Sequence, residues 1–340
     1  MVQTIQREFR SGRVKTGTDL AKSIGSRGLL ECRPVRLTAG PLNFFSPQPS
    51  VDGKKIFAIG VHRRAELVRY DLKSRQFIPF LGGISANGVS FSRDGRWITY
   101  ATYPEGDIWR SRADGTEKLQ LVSGSVAPGW SPVISPDGRQ VAFIGGLSGI
   151  QQVYLVSMDG GTPQSVRIGA AVPGASLGWC GTGKAIIASQ AEAAVKDNRT
   201  VLLDLETAKT TYLADSQGPF LSRCSPDGKQ VVARTVNGDR LRLFEFATQQ
   251  WSDLVTRSVG SMQWSADGKY VYFDTGSGAE QAIYRVRLTD RKAELVTSLQ
   301  DFRREVEPWV SWMGLTPDGS PLLMRDIGTQ EVYALDFEAP

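Results

Sequence analysis

The sequence predicts an all-β fold, a seven-bladed β-propeller of four-stranded antiparallel blades, and three features of its 340 residues carry that expectation. A Ser/Thr-x-Asp-Gly turn recurs at intervals of 40 to 51 residues. Each turn leads into short β-branched and aromatic runs separated by further turn signals. An orphan strand near the N-terminus reads like the strand that is missing after the last repeat. An internal period of this length corresponds to one four-stranded blade.

Intact turns run from Ser50 to Gly53, Ser92 to Gly95, Ser135 to Gly138, Ser225 to Gly228, Ser265 to Gly268 and Thr316 to Gly319. A worn seventh copy, Trp179-Cys180-Gly181-Thr182-Gly183-Lys184, aligns with Trp264-Ser265-Ala266-Asp267-Gly268-Lys269. With Asp52, Asp94, Asp137, Thr182, Asp227, Asp267 and Asp318 as the turn positions, the spacings are 42, 43, 45, 45, 40 and 51.

The elements of each repeat follow in a fixed order. Before the Ser/Thr stands Pro49, Phe91, Ile134, Trp179, Cys224, Trp264 or Leu315, mostly large and apolar, as the end of a buried inner strand should be. Asp-Gly then supplies the turn, because Asp bonds to nearby backbone and Gly accepts positive φ without a Cβ clash. Second strands follow, such as Ile56 to Ile59, Trp97 to Tyr100, Val141 to Phe143 and Val271 to Phe273. Third strands include Leu67 to Tyr70, Val153 to Val156 and Ile283 to Val286, and fourth strands include Phe77 to Phe80, Leu119 to Val122 and Glu294 to Val296.

The last repeat stops after a third strand, Glu331 to Leu335, and Pro34 to Thr38 reads as its fourth. Pairing the two closes the ring through an N-terminal strand that completes the last blade and leaves no open edge. Residues 32–340 are therefore assigned to the propeller, and residues 1–31 to a basic arm expected to be disordered, being poor in apolar residues.

Composition narrows the function. The net charge of +5 concentrates in residues 1–30, which carry +4, while residues 31–340 carry +1, so nucleic-acid binding by the propeller is not expected. No apolar run reaches the roughly 18 residues of a membrane helix, and no secretion signal stands at the N-terminus, so membrane insertion by this chain is not expected. Cys32, Cys180 and Cys224 lack CxxC spacing and read as small buried apolar fillers. With His62 as the only histidine, a transition-metal site is not expected, and oxygen-only sites for calcium or magnesium stay open. No cofactor is implied.

Catalytic patterns fail on context. Gly174 to Gly178 matches GxSxG around Ser176, yet the chain's one histidine precedes the serine instead of following it. Gly178 to Lys184 approaches a phosphate loop but has Ala185 where a Ser or Thr would bind magnesium. The repeated aspartates occupy one structural position seven times over, less one, which fits turns and not an asymmetric active site.

The SPDGK and SxDG turns, with Tyr154 to Gly160 as a third strand running into Asp-Gly, resemble the TolB or PD40 propeller repeats related to WD repeats. The segments Leu37 to Pro41, Glu66 to Asp71, Trp97 to Trp109 and Ile327 to Glu331 more narrowly resemble the C-terminal propellers of large bacterial signalling proteins, with a winged helix or Ser/Thr kinase upstream. Neither a kinase Gly-rich loop nor an HRD motif is present, so the resemblance implies sensing or docking. Resembling propellers are often periplasmic, and the sequence assigns this chain no compartment.

Function should sit on loops, and the loops joining second to third strands share one face with the links between blades. That face should gather His62, Arg63, Arg64, Tyr103, Glu105, Lys196, Asn198, Arg199, Asp239 and Glu280, with Arg303, Arg304, Glu305 and Trp309 from the longest link. Arg clustered with Tyr and Trp is the composition of protein-binding hot spots. The expected role is a monomeric, non-catalytic module that docks a protein or peptide. The alternative is a lyase or hydrolase using Glu105, Asp107 or Asp239 at the channel mouth.

Overall fold

At each intact turn the Ser or Thr hydroxyl donates to the Asp carboxylate two residues on, at 2.5 Å for Ser50–Asp52 and 2.6 to 2.7 Å for the pairs at Ser92, Ser135, Ser225 and Ser265. Thr316 and Asp318 make the same bond. The hydroxyl also accepts the backbone N–H that opens the second strand, from Lys55, Trp97, Gln140, Gln230 or Tyr270 at 2.9 to 3.0 Å. One side chain thus holds both arms of the hairpin. Hydroxyl donation keeps the carboxyls of Asp52, Asp94, Asp137, Asp227 and Asp267 below the ordinary value of 3.8.

The computed structural model describes residues 42–123, 128–146, 151–166, 172–191, 199–214, 219–276, 280–305 and 312–336. The predicted arm 1–31 and the strand Pro34 to Thr38 lie outside the described residues, as do Lys196, Asn198 and Trp309. No helix occurs among the described residues, and the strands form seven antiparallel sheets, as a seven-bladed propeller requires. Six have four strands, and in the seventh three are described.

The chain divides into two compact units, 65–326 and 1–64 with 327–340. In the larger unit, sheet C comprises Ala86–Phe91, Trp97–Thr102, Ile108–Arg112 and Leu119–Val122, and sheet D comprises Trp130–Ile134, Gln140–Gly145, Gln152–Ser157 and Gln164–Val166. Sheet E has Val172–Cys180, Ala185–Ala191, Arg199–Asp204 and Thr210–Tyr212, and sheet F has Pro219–Cys224, Gln230–Thr235, Arg240–Glu245 and Gln250–Thr256. Sheet G has Met262–Trp264, Tyr270–Asp274, Ala282–Arg287 and Ala293–Ser298. Sheet B draws on both ends of the unit, in the order Gly314–Leu315, Pro321–Asp326, Ala65–Asp71, Gln76–Pro79. Its inner strand lies beside those of sheets G and C, so the order of sheets returns on itself.

Second strands are covered on both faces, which is why they read as near-continuous apolar runs. Val141, Ala142, Phe143 and Ile144 are all fully buried, as are Ile186 to Ala188 and Val231 with Val232. The position before the turn stitches neighbouring sheets together. Trp179 Nε1 donates to Val133 O of sheet D at 2.9 Å, and Trp264 Nε1 donates to Arg223 O of sheet F at 3.0 Å.

The smaller unit holds sheet A, in the order Asn43–Pro49, Lys55–His62, Thr329–Asp336. Here the strand assignment of the sequence needs correcting. Ile56 to Ile59 and Leu67 to Tyr70 were expected as second and third strands of one blade, but they lie in sheets A and B. Strands from the two termini share sheets A and B, while the closing pairing expected of Pro34 to Thr38 with Glu331 to Leu335 lies outside the described residues. The physical reason is packing: the strand pair in sheet B sets Leu323 opposite Val68 and Met324 opposite Leu67, all buried. Burying such a side chain contributes about 2 kcal/mol.

A second correction concerns cysteine. Cys180 and Cys224 are not separate fillers but a disulfide, with Cα atoms 5.3 Å apart, joining the ends of the inner strands of sheets E and F. Cys32 lies outside the described residues.

Candidate docking surface

Within the larger unit the loops opposite the Asp-Gly turns converge on a network of arginines, carboxylates and one tyrosine. The loop between the second and third strands of sheet C carries Tyr103, whose backbone is pinned by Ser85. Tyr103 N–H donates to Ser85 O at 2.9 Å, and Ser85 Oγ donates to Tyr103 O at 2.7 Å. So anchored, the Tyr103 hydroxyl donates to the Glu305 carboxylate. Glu305 N–H in turn donates to Met324 O of sheet B at 3.0 Å.

Arg304 is buried. Its Nη2 lies 2.9 Å from Asp274 Oδ2 and 3.0 Å from Trp312 O, and the two charged side chains are 5% and 0% exposed. Asp274 also accepts N–H groups from Gly276 at 2.8 Å and Ser261 at 3.2 Å, so its charge is well solvated by protein. Arg234 stands close enough for Asp274 to favour its charged form, against burial, which lowers its pKa.

The neighbouring Arg303 points the other way and is 62% exposed while its Nε contacts Asp326 Oδ2 at 2.9 Å. Arg325 completes the set, paired with Glu66 at 2.9 Å and lying 5.7 Å from the Phe302 ring centre. Sheets B, C and G therefore contribute to one loop cluster. Its guanidiniums are matched by carboxylates, and the exposed members are Arg303, Pro104 and Glu105, next to the half-buried Tyr103.

Of the residues expected on one face, the structure brings together Tyr103, Arg303 and Arg304, adding Asp274, Glu66, Arg325 and Asp326, which sequence reasoning missed. Asp274 follows the expected second strand Val271 to Phe273 and ends the observed one, and nothing in a strand pattern marks a buried charge. Arg199 belongs to sheet E, with its guanidinium 5.4 Å from the Tyr212 ring centre. His62, Arg63 and Arg64 belong to the smaller unit. There His62 pairs with Thr329, Arg63 lies 6.0 Å from the Phe45 ring centre, and Arg64 O accepts Ile327 N–H at 3.1 Å.

Sheet A also presents an apolar face. Phe45, Ile59 and Val332 are in register across its three strands and are 40, 39 and 75% exposed, with Phe57 beside them at 41%. Contiguous exposed apolar groups of this kind mark interaction surfaces.

Three of the residues weighed for catalytic or nucleotide chemistry make contacts within the fold. Ser176 is buried, exchanges a hydrogen bond with Ser189 at 2.8 Å and accepts Ser222 N–H at 3.1 Å. Lys184 pairs with Glu206 at 2.9 Å. Asp239 accepts the Thr235 hydroxyl at 2.6 Å, which holds its carboxyl below the ordinary range. Among the described residues no three of His, Cys, Asp and Glu are grouped to hold a metal ion.

No protein-family model matches the chain. An uncharacterized protein of Agrobacterium fabrum is 29% identical over 129 residues, covering 34% of this chain and 44% of that protein. Among solved structures, a TolB-type protein from Agrobacterium tumefaciens superposes with a TM-score of 0.61 at 17% identity, over 78% of this chain and 99% of the other. TolB from Acinetobacter baumannii gives a TM-score of 0.53 at 16% identity, over 87% and 83%. At these identities the likeness shows the fold alone, and together with the seven sheets and their repeated turns it identifies a β-propeller fold similar to that of the TolB structures.

Proposed function

We propose that the chain is a non-catalytic docking module that engages a protein or peptide through the loop face of the larger unit built around Tyr103, Glu105 and Arg303. The observation that carries this reading is the cluster itself. Three sheets send charged loop residues to one place, and a buried ion pair beneath fixes the exposed Arg303 and the Tyr103 loop in position. Preorganised Arg and Tyr side chains lose little entropy when a partner covers them, which is what a hot spot requires. The arginines are balanced by Asp326, Glu66, Asp274 and Glu305, which favours a polar peptide surface as partner over nucleic acid. The ionised Asp239 is poorly suited to donate a proton in an enzymatic alternative.

The test compares affinity capture by the native chain with capture by Glu105→Lys/Arg303→Glu, leaving the buried Arg304 intact. The double variant is expected to lose its captured species while melting within a few degrees of the native chain, and capture that survives in full overturns the assignment. A hydrolase and lyase activity screen on the native chain serves as the second arm, and turnover abolished by altering Glu105 or Asp107 would favour the enzymatic reading instead.

A further inference from the structure

The Cys180–Cys224 bond lies where the repeat has lost its usual fastening. In the worn turn Cys180 stands in the place of the Ser, and Thr182 in the place of the Asp, so the hydroxyl–carboxylate bond made by the other six turns has no counterpart there. The backbone shows the difference. Gly183 N–H reaches Cys180 O at 3.3 Å, against 2.8 to 3.0 Å for Gly53, Gly95, Gly138, Gly228, Gly268 and Gly319 in the intact turns.

What Cys180 binds instead is the residue immediately before Ser225, at the corresponding point of the next sheet. The turn tips at this junction are also in close approach. A Cβ on Gly228 would fall 2.4 Å from Gly181 Cα, whereas at the junctions of sheets D with E, F with G and B with C the corresponding glycines face Pro136, Pro226 and Pro317 at 3.0, 3.7 and 3.4 Å. We propose that this disulfide substitutes for the missing turn latch, fastening the worn turn of sheet E to the intact turn of sheet F, so that the E–F junction is as firm as the others only when the two cysteines are oxidised.

Forming the bond transfers two electrons and two protons from the two thiols to a small-molecule or protein disulfide. The S–S bond of that oxidant breaks as the Cys180–Cys224 bond forms, and it departs as two thiols. The chain consequently reaches its full stability where a disulfide oxidant is supplied, and a thiol reductant loosens one junction of the ring selectively.

Three samples test this by thermal unfolding with and without dithiothreitol: the native chain, Cys180→Ser, and Cys180→Ser/Thr182→Asp, which rebuilds the Ser-x-Asp-Gly turn. With a sequence separation of 44 between the cysteines, reduction of the native chain is expected to lower its Tm by about 6 °C. Cys180→Ser should match the reduced native chain in either buffer, and the double variant should regain a substantial part of the loss and ignore the reductant. A native Tm that does not respond to dithiothreitol overturns the fastening role. A double variant no more stable than Cys180→Ser overturns the substitution for the latch. Thiol counting on the native chain under denaturing, non-reducing conditions should find one free thiol, Cys32, and a count of three overturns the bond itself.

Discussion

Replacing Arg304 with methionine keeps the length of the side chain and removes the charge that faces Asp274. Both partners are buried, at 5% and 0% exposure, so the variant leaves a carboxylate in the interior without its guanidinium. Breaking such a pair by removing one partner costs about 3 to 5 kcal/mol. The lower end applies here, because Asp274 keeps the N–H groups of Gly276 and Ser261 and the nearby charge of Arg234. A loss of about 3 kcal/mol corresponds to a Tm decrease of roughly 4 °C for a chain of 340 residues. Calorimetry on Arg304→Met, Asp274→Asn and the double variant provides the assay, and the double variant should cost less than the sum of the singles by at least about 1 kcal/mol. Arg304→Met should still capture the partner at a temperature where it is folded. A single-variant loss below about 1 kcal/mol, or strictly additive losses, would refute the claim that this pair underpins the loop face.

Gly228, at φ +73, shares the left-handed conformation of the turn glycines and faces Gly181 Cα, so Gly228→Ala should cost about 2 kcal/mol or more in urea unfolding, while Gly138→Ala, with open space around the added Cβ and φ +73, should cost less. Stability should also fall in acid with a defined sign. The turn aspartates have folded pKa values below 3.8, so the unfolded chain binds their protons first as pH drops. Their contribution is complete above the unfolded value and fades as pH falls through the folded values, and a urea midpoint that did not decline below pH 4 would contradict the turn bonding.

Much of the fold was legible because the repeat states its chemistry locally. Ser, Asp and Gly within four residues specify a turn whatever surrounds them, and the apolar runs that follow declare strands buried on two faces. Which strands pair across the termini was not legible, because residues 63–64 and 327–328 are both two-residue links. Either link could close a hairpin with its own neighbour, and the observed partners His62 with Thr329 and Ala65 with Asp326 differ from that choice only in the exchange. The disulfide had a signal that went unused, namely a cysteine in the serine position of the only worn turn. The loop cluster was half legible: its arginines and Tyr103 were named, but burial of Arg304 and the presence of Asp274 depend on three sheets meeting, and no periodicity in one segment reports that.

The loop face exists only if Pro321–Asp326 lies beside Ala65–Asp71, because that pairing places Arg325 against Glu66 and sets Asp326 where Arg303 reaches it. The direct measurement is cross-linking of Glu66→Cys/Arg325→Cys, a pair in register across the two strands, read by mass spectrometry of the non-reduced protein after proteolysis. A peptide joining positions 66 and 325 in most molecules is the predicted result. Its absence in a folded sample, with both thiols free, would contradict the closure of the unit and the docking face built upon it.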